Sequence, residues 1–550
     1  MAIPSFVDSF ARDHLPPASA LPEFLFDLPG LQFPARLNCA TELLDRWVER
    51  GSGGRPCIVG AEHRWSYAEL QAQANRIARV LVEDLDLLPG SRVLLRGANS
   101  PMLAACWFGV VKAGGIAVGS MPLLRARELN QMLDKARVTH ALCDARLADE
   151  LALARPASAI LTRVLHFNGG AGSELETRAA GKPASFDNVD TAADDTCIIA
   201  FTSGTTGAPK GTMHFHRDVM AACACWPPHV LRATADDIFI GSPPLAFTFG
   251  LGGLLLFPMS VGASTALIEK ATPEALLPAI ARFRASVCFT SPTSYRAMAA
   301  LVVAAGTVEG PAHDLSSLRK CVSAGEALPA ATRALWKEAT GIEMIDGIGS
   351  TELLHIFISA DEALARPGAT GLPVPGYRAC VMGEDGQPLP PGQVGRLAVK
   401  GPTGCKYLGE PGQPNEAQAR YVQNGWNLTG DAYLMDGDGQ FVYQARTDDM
   451  IISGGYNIAG PEVEGALLLH PAVAECGVIG EPDEARGMLV KAFVVLKPGL
   501  PGDAAMARTL QDFVKQTIAP YKYPREIAFV ASLPRTETGK LQRFRLRAAP

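Results

Sequence analysis

No stretch of the sequence is continuously apolar for the ~20 residues that a membrane span needs. The longest, "LGGLLLFPMSVGA" from Leu251, is interrupted by Pro258 and reads as buried core. Positive charge is not in surplus either: 50 Lys and Arg stand against 56 Asp and Glu, a net charge of -6. That balance gives no general attraction for nucleic acid or anionic membrane, and small molecules are the expected partners. Paired cysteines are missing as well. Of 12 cysteines only Cys223 and Cys225 fall close together, without the second pair or the histidine spacing of a zinc site, so reduced thiols are expected. The opening "MAIPSFVDSFARDHLPP" shows no basic flank followed by an apolar segment, so no secretory signal is expected and the cytoplasm is the expected location. No short repeat period or low-complexity tract is apparent.

What is present is the composition of a globular chain, 48% hydrophobic and 19% charged over 550 residues. That length implies roughly three or four structural units. In "WSYAELQAQANRIARVL", Ser66 and Glu69 form a capping-box pattern, and Leu70, Ala74, Ile77 and Leu81 recur at helical spacing. The apolar "GSRVLLRG", the helical "PMLAACWFGVVKAGG" and the apolar "IAVGSMPL" follow. Strands alternating with helices predict a layered α/β fold with largely parallel sheets. Near residue 445 the pattern changes to a strand, a glycine turn and a helix starting at Pro461 with glutamates in its first turns. A large domain over 1–447 and a small α/β domain over 448–550 are expected, with the boundary in the polar stretch Arg446 to Asp449.

The densest chemical signal is "FTSGTTGAPKG", residues 201–211. Ser203, Thr205 and Thr206 offer hydroxyl donors, Gly204 and Gly207 let the backbone bend, and Lys210 supplies a point charge, a set suited to phosphate. It is not a Walker loop, because Lys210 follows Pro209 and precedes Gly211. Taken alone it also fits a solvated turn. Four further stretches put small residues beside charged ones: "SAGEALP" from Ser323, "DGIGSTELLH" from Asp346, "NLTGDAY" around Asp431 and "PRTETGKLQR" around Lys540. Singly, each also fits a cap or a solvated surface charge.

Together and in this order, the five stretches resemble the acyl-adenylate-forming superfamily, which includes acyl-CoA synthetases, firefly luciferases and the adenylation domains of peptide synthetases. The resemblance implies two half-reactions: a carboxylate attacks the α-phosphorus of Mg-ATP, releasing pyrophosphate, and coenzyme A then displaces AMP to give a thioester. ATP, Mg²⁺ and coenzyme A are therefore the implied cofactors. By the same resemblance, Thr202, Ser203, Gly204, Thr205, Thr206 and Lys210 hold the β- and γ-phosphates, Glu352 the Mg²⁺, and Thr351 an α-phosphate oxygen. Gly325, Glu326, Asp346, Gly347 and Ile348 line the adenine, with Ala324 and Gly349 in the same ATP-binding set. Ile348 stands where many members carry an aromatic ring, so stacking on the base is expected to be weaker. Asp431 takes the ribose hydroxyls and Arg446 the ribose or a phosphate. Lys540 bridges the substrate carboxylate and the α-phosphate, Asp448 is the hinge, and Gly454, Gly455 and Tyr456 meet coenzyme A.

Phe247, Thr248 and Phe249 are expected to form an aromatic wall of the acyl pocket, with His355 nearby and Gly347 and Gly349 leaving flat space for a ring. Each of these residues also fits ordinary core. "DGIGSTELLHIF", "KAGGIAVGSMPLLRARELNQML" and "ARDHLPP" resemble the benzoate-CoA ligase branch, and most of all the 2-aminobenzoate-CoA ligases. The expected function is ATP-dependent aryl-CoA ligation, of 2-aminobenzoate first, with benzoate or another small carboxylate as the alternative. A carrier-loading adenylation module is the rival class. It is disfavoured because Phe247, Thr248 and Phe249 include no acid to meet a substrate ammonium, and because no carrier domain is expected after Arg547. The chain is expected to act as a monomer or homodimer.

Overall fold

A computed structural model describes residues 5–60, 64–157, 160–170, 172–202, 209–306, 313–447, 449–453, 456–483, 487–518, 520–535 and 541–547. The periodic segments form the elements their patterns predict. Ser66 caps the helix Tyr67–Arg79, its side chain accepting from the Glu69 N–H while the Glu69 carboxylate accepts from the Ser66 backbone, and Leu70, Ala74 and Ile77 on one face are buried. The helix Pro101–Lys112 has proline at its first turn and the Ser100 side chain accepting from the Leu103 N–H. The apolar run from Leu251 is helical and buried, as its composition predicts. No helix among the described residues is long and apolar enough to cross a membrane.

Two large sheets build the N-terminal region. The first runs, edge to edge, Arg163–Phe167, His140–Asp144, Arg92–Arg96, Ile116–Ser120, Thr196–Thr202 and Lys210–Phe215, parallel except for the last strand. The second holds nine strands, with Ser264–Ala266, Ile238–Gly241, Val287–Thr290, Lys320–Ala324 and Met344–Gly349 parallel at its centre. Such strands are apolar along their whole length because helices cover both faces. An antiparallel sheet follows, in which Trp426–Met435 pairs with Val394–Lys400 and Phe441–Arg446.

From Ile451 the chain builds a separate sheet, Tyr456–Ile458, Ile451–Ser453, Gly487–Leu496 and Val473–Asp483, with Glu526–Phe529 parallel to Gly487–Leu496. It closes over its own core of Ile451, Val463, Leu467, Val490, Leu510 and Val514. The helix Gly460–Leu468 starts one residue before the expected Pro461, which lies in its first turn together with Glu462. This unit touches the rest of the molecule through Arg535, whose guanidinium lies 3.3 Å from Thr293 Oγ1 and 3.7 Å from the Glu326 carboxylate. Arg296 adds a 3.5 Å contact to the Val473 carbonyl.

The cysteines are free thiols, buried except for half-buried Cys380. Three groups far apart in sequence nevertheless converge: Cys39, Cys197 and His216 place their donor atoms within 4.8 Å of one another. Burial raises the Cys39 thiol, but the hydrogen bond with Cys197 and the charge and hydrogen bond of His216 bring it down to about 6. His216 Nδ1 lies 3.1 Å from the Cys39 backbone nitrogen and 3.3 Å from Cys39 Sγ, so the cluster is a sulfur–imidazole contact inside the core.

Candidate active site

In parallel sheets ligands gather at the carboxyl ends of the strands. Here Lys320–Ala324 and Met344–Gly349 are neighbours in register, Ser323 opposite Asp346 and Ala324 opposite Gly347. The pairing brings Ala324, Gly325 and Glu326 beside Asp346, Gly347, Ile348 and Gly349. Gly325 leaves its strand at φ 93°, a turn that glycine makes without strain. Asp346 is buried, and burial pushes its carboxyl up to about 7 against the charge of Arg333 and the hydrogen bond at Gly347. The spaces above Gly347 and Gly349 differ from the expectation of flat room for a ring. A Cβ on Gly347 would lie 2.9 Å from the Ile356 side chain, and one on Gly349 2.6 Å from the His355 carbonyl oxygen. These glycines let the antiparallel strand Ile356–Ser359 pack closely, and that strand fills the space.

An acid whose pKa rises on folding binds its proton longer in the native state, so native stability is lost as pH climbs from about 4 through 7. Asp346→Asn cannot ionise. Its melting temperature is expected to gain on the parent's by a few degrees between pH 5 and pH 8, and a difference constant with pH would show that Asp346 does not titrate in this window.

The phosphate-loop residues split. Thr202 and Lys210 face each other as the closing pair of the hairpin Thr196–Thr202 and Lys210–Phe215, while Ser203, Gly204, Thr205 and Thr206 lie outside the described residues. Beside Lys210–Phe215 runs the segment 404–408: the Met213 N–H donates to the Lys406 carbonyl and the Leu408 N–H to the Gly211 carbonyl, each at 2.8 Å. This brings Tyr407 to Glu352, and its hydroxyl donates to Glu352 Oε1. Lys210 Nζ sits 5.5 Å from the centroid of the same ring. Burial and the charge of Glu352 both raise the Tyr407 pKa, so the phenol remains a donor.

Behind this pair lies a fully buried ion cluster. Lys406 Nζ is 2.7 Å from Asp218 Oδ2, and His214 Nε2 donates to the Thr351 carbonyl at 2.8 Å. Burial raises Asp218, yet Lys406 and His214 more than reverse that and hold it well below the usual carboxylate range. The cluster anchors the turn that presents Thr351 and Glu352. Neither Tyr407 nor this cluster was legible in the motifs; the one local signal is a Lys-Tyr pair in a stretch otherwise made of small residues.

Asp431 and Arg446 face each other on adjacent strands, with Arg446 Nη1 3.0 Å from Asp431 Oδ1 and 3.2 Å from the Thr429 carbonyl. Phe247 precedes the short helix Thr248–Leu251, and Phe249 packs 5.7 Å from both the Phe289 and His355 rings. A cavity of about 30 Å³ lies behind Phe247 and Thr248, against Leu95, Trp107 and Leu255. That is the scale of a water molecule rather than an aromatic ring. Lys540, Asp448, Gly454 and Gly455 lie outside the described residues, and Tyr456 opens the strand Tyr456–Ile458.

The profile of AMP-binding enzymes matches residues 44–407, and that of the AMP-binding enzyme C-terminal domain matches residues 462–540. The chain belongs to the AMP-binding enzyme family. This AMP-binding enzyme is 36% identical to the benzoate-CoA ligase of Thauera aromatica over 527 residues, which cover 95% of this chain and 98% of the relative. Its fold is similar to the anthranilate CoA ligase AuaEII solved in complex with anthranoyl-AMP, with a TM-score of 0.88, 34% identity and coverage of 95% and 98% of the two chains. An ATP-bound RpMatB-BxBclM chimera is similar with a TM-score of 0.83, 30% identity and coverage of 93% and 98%. The benzoate and anthranilate enzymes are both ligases of an aromatic acid and coenzyme A, and aryl-CoA ligation is the activity these similarities support.

Proposed function

We propose that this AMP-binding enzyme is an AMP-forming aryl-CoA ligase whose preferred acid is 2-aminobenzoate. The observation that carries the choice of acid is His355. Its ring is buried in an aromatic cage, 4.4 Å from Phe257 and 5.7 Å from Phe249. Burial pushes its pKa down to about 3, so the imidazole is neutral. Nε2 donates to the Phe249 carbonyl at 3.4 Å, which leaves Nδ1 as an acceptor with no partner among the described residues. A buried acceptor without a donor is costly, and an ortho-amino group would supply the missing N–H. The similarity to the anthranilate enzyme supports the same acid, and the identity to the Thauera aromatica enzyme favours benzoate as the second reading.

In the first half-reaction an anion approaches a polyanion, so catalysis falls to cations and directed donors. Lys210 and the hydroxyls of the preceding loop would take the β- and γ-phosphates and favour pyrophosphate departure. Glu352, one carboxylate oxygen of which has no protein donor among the described residues, would hold Mg²⁺, whose charge screens the phosphate oxygens. Thr351 would bond the α-phosphate, and Asp431, steadied by Arg446, the ribose hydroxyls. Lys540 would neutralise carboxylate and α-phosphate together as they meet. In the second half-reaction Gly454, Gly455 and Tyr456 would admit the coenzyme.

The test is coenzyme A-dependent AMP formation with benzoate, 2-aminobenzoate, 4-hydroxybenzoate, cinnamate and octanoate. The highest kcat/KM is expected for 2-aminobenzoate. His355→Leu is expected to lower that value by roughly tenfold relative to benzoate, the worth of one buried hydrogen bond. An unchanged ratio sinks the role of His355. A loss of the ratio in Thr248→Val instead would move the amino contact to Thr248, and preference for octanoate would make the aromatic wall ordinary core.

A further inference from the structure

Segment 404–408 contributes nothing to the phosphate or metal motifs, yet two of their side chains meet on it. Tyr407 lies between the start of the strand Lys210–Phe215 and the turn that follows Met344–Gly349. Its hydroxyl donates to Glu352 Oε1, and its ring face carries Lys210 Nζ at 5.5 Å. The side chain is held from several directions. Tyr421 packs edge-on at 5.8 Å, the Tyr407 N–H donates to Gln418 Oε1 at 2.9 Å, and Asn415 Nδ2 donates to the Tyr407 carbonyl at 3.2 Å. Tyr421 is fixed in turn by a 3.1 Å hydrogen bond between its hydroxyl and Ser350 Oγ, two residues before Glu352. A ring so confined addresses both partners at once.

We propose that Tyr407 is a positioning residue that sets the Glu352 carboxylate and the Lys210 ammonium relative to one another, so that a divalent cation and the terminal phosphates of ATP meet a preorganised pair. The proposal rests on the nucleotide reading of Glu352 and Lys210 given above. Donation from the phenol occupies one oxygen of the carboxylate and leaves the other without a protein donor among the described residues. Hydrogen bonds of this kind, made to a metal ligand from behind, tune metal affinity strongly. The ring face confines a flexible lysine whose freedom would otherwise be lost on binding phosphate.

The probe is Mn²⁺, titrated by paramagnetic resonance into the full chain holding α,β-methylene-ATP, with thermal unfolding to verify the fold. Tyr407→Phe keeps the ring and removes the hydroxyl. Its Mn²⁺ dissociation constant is expected to rise by roughly tenfold, while nucleotide affinity without metal stays at the parent value. Tyr407→Leu removes the ring face as well and is expected to weaken metal-free nucleotide binding by a further factor of about three. Parental Mn²⁺ affinity in Tyr407→Phe overturns the proposal, as does a Tyr407→Leu enzyme equal to Tyr407→Phe in both measurements. A parent that forms no aryl-CoA defeats the reaction assigned above, and the Mn²⁺ ratios still decide the role of Tyr407.

Discussion

Lys540→Ala is expected to depress aryl-adenylate formation, read as acid-dependent pyrophosphate exchange, by roughly 10²–10³-fold, the loss typical of one preorganised charge-stabilising donor. Thioester formation from supplied aryl-adenylate and coenzyme A is expected to survive. The asymmetry follows from where charge builds up. Only in the first half-reaction do a carboxylate and a triphosphate have to approach, and a compact ammonium placed between them lowers the energy of that encounter more than of either reactant alone. Lys540 lies outside the described residues, whereas Arg535 and Leu541 on either side of that stretch are described. Arg535 and Leu541 bridge to each other, and Arg535 reaches Thr293 and Glu326, the latter at the end of the strand that carries the nucleotide-lining candidates. Equal loss of both half-reactions would remove Lys540 from a role confined to adenylation.

The parts of this molecule legible in the sequence were those written in local code. The capping box at Ser66 and Glu69, the proline start of the helix Gly460–Leu468 and the apolar strands between helices each depend on neighbours within a few positions. The motif residues stand out in the sequence for a related reason, since glycine, hydroxyl and charge would have to cluster in a short loop to surround a phosphate. What stayed hidden is what register decides. Tyr407 reaches Glu352 only because the segment 404–408 lies along Lys210–Phe215, and nothing near either residue announces that pairing. Asp218, Lys406 and His214 look like surface charges in sequence yet are fully buried, because each neutralises or bonds another. The glycines at 347 and 349 are a third case: small residues leave space, and only the structure shows that Ile356 and the His355 backbone take it.

Asp448→Pro is the second large effect, and it falls on the half-reaction that Lys540→Ala is expected to spare. Pyrophosphate exchange is expected to persist, while thioester formation from supplied aryl-adenylate falls by at least about 10²-fold, because proline fixes φ near −65° and restricts the residue before it. The argument begins with the contacts on either side. Thr447 N–H donates to the Gly430 carbonyl at 3.0 Å and ties the chain to the strand bearing Asp431, whereas Asp449 is paired at 2.5 Å with Arg547 of the C-terminal unit. The Asp449 N–H also donates to the Arg446 carbonyl at 3.0 Å, so Asp449 is held by both bodies, and a rotation between them is expected to be absorbed at this joint. In the arrangement described here Arg535 sits 3.7 Å from Glu326, one of the proposed nucleotide-lining residues. If the second half-reaction needs the C-terminal unit to turn, that contact would break and the joint would absorb the rotation. A rigid joint should then trap the first half-reaction and starve the second. If Asp448→Pro forms thioester at the parental rate, the two half-reactions do not need this rotation, and one arrangement of the two bodies must serve both.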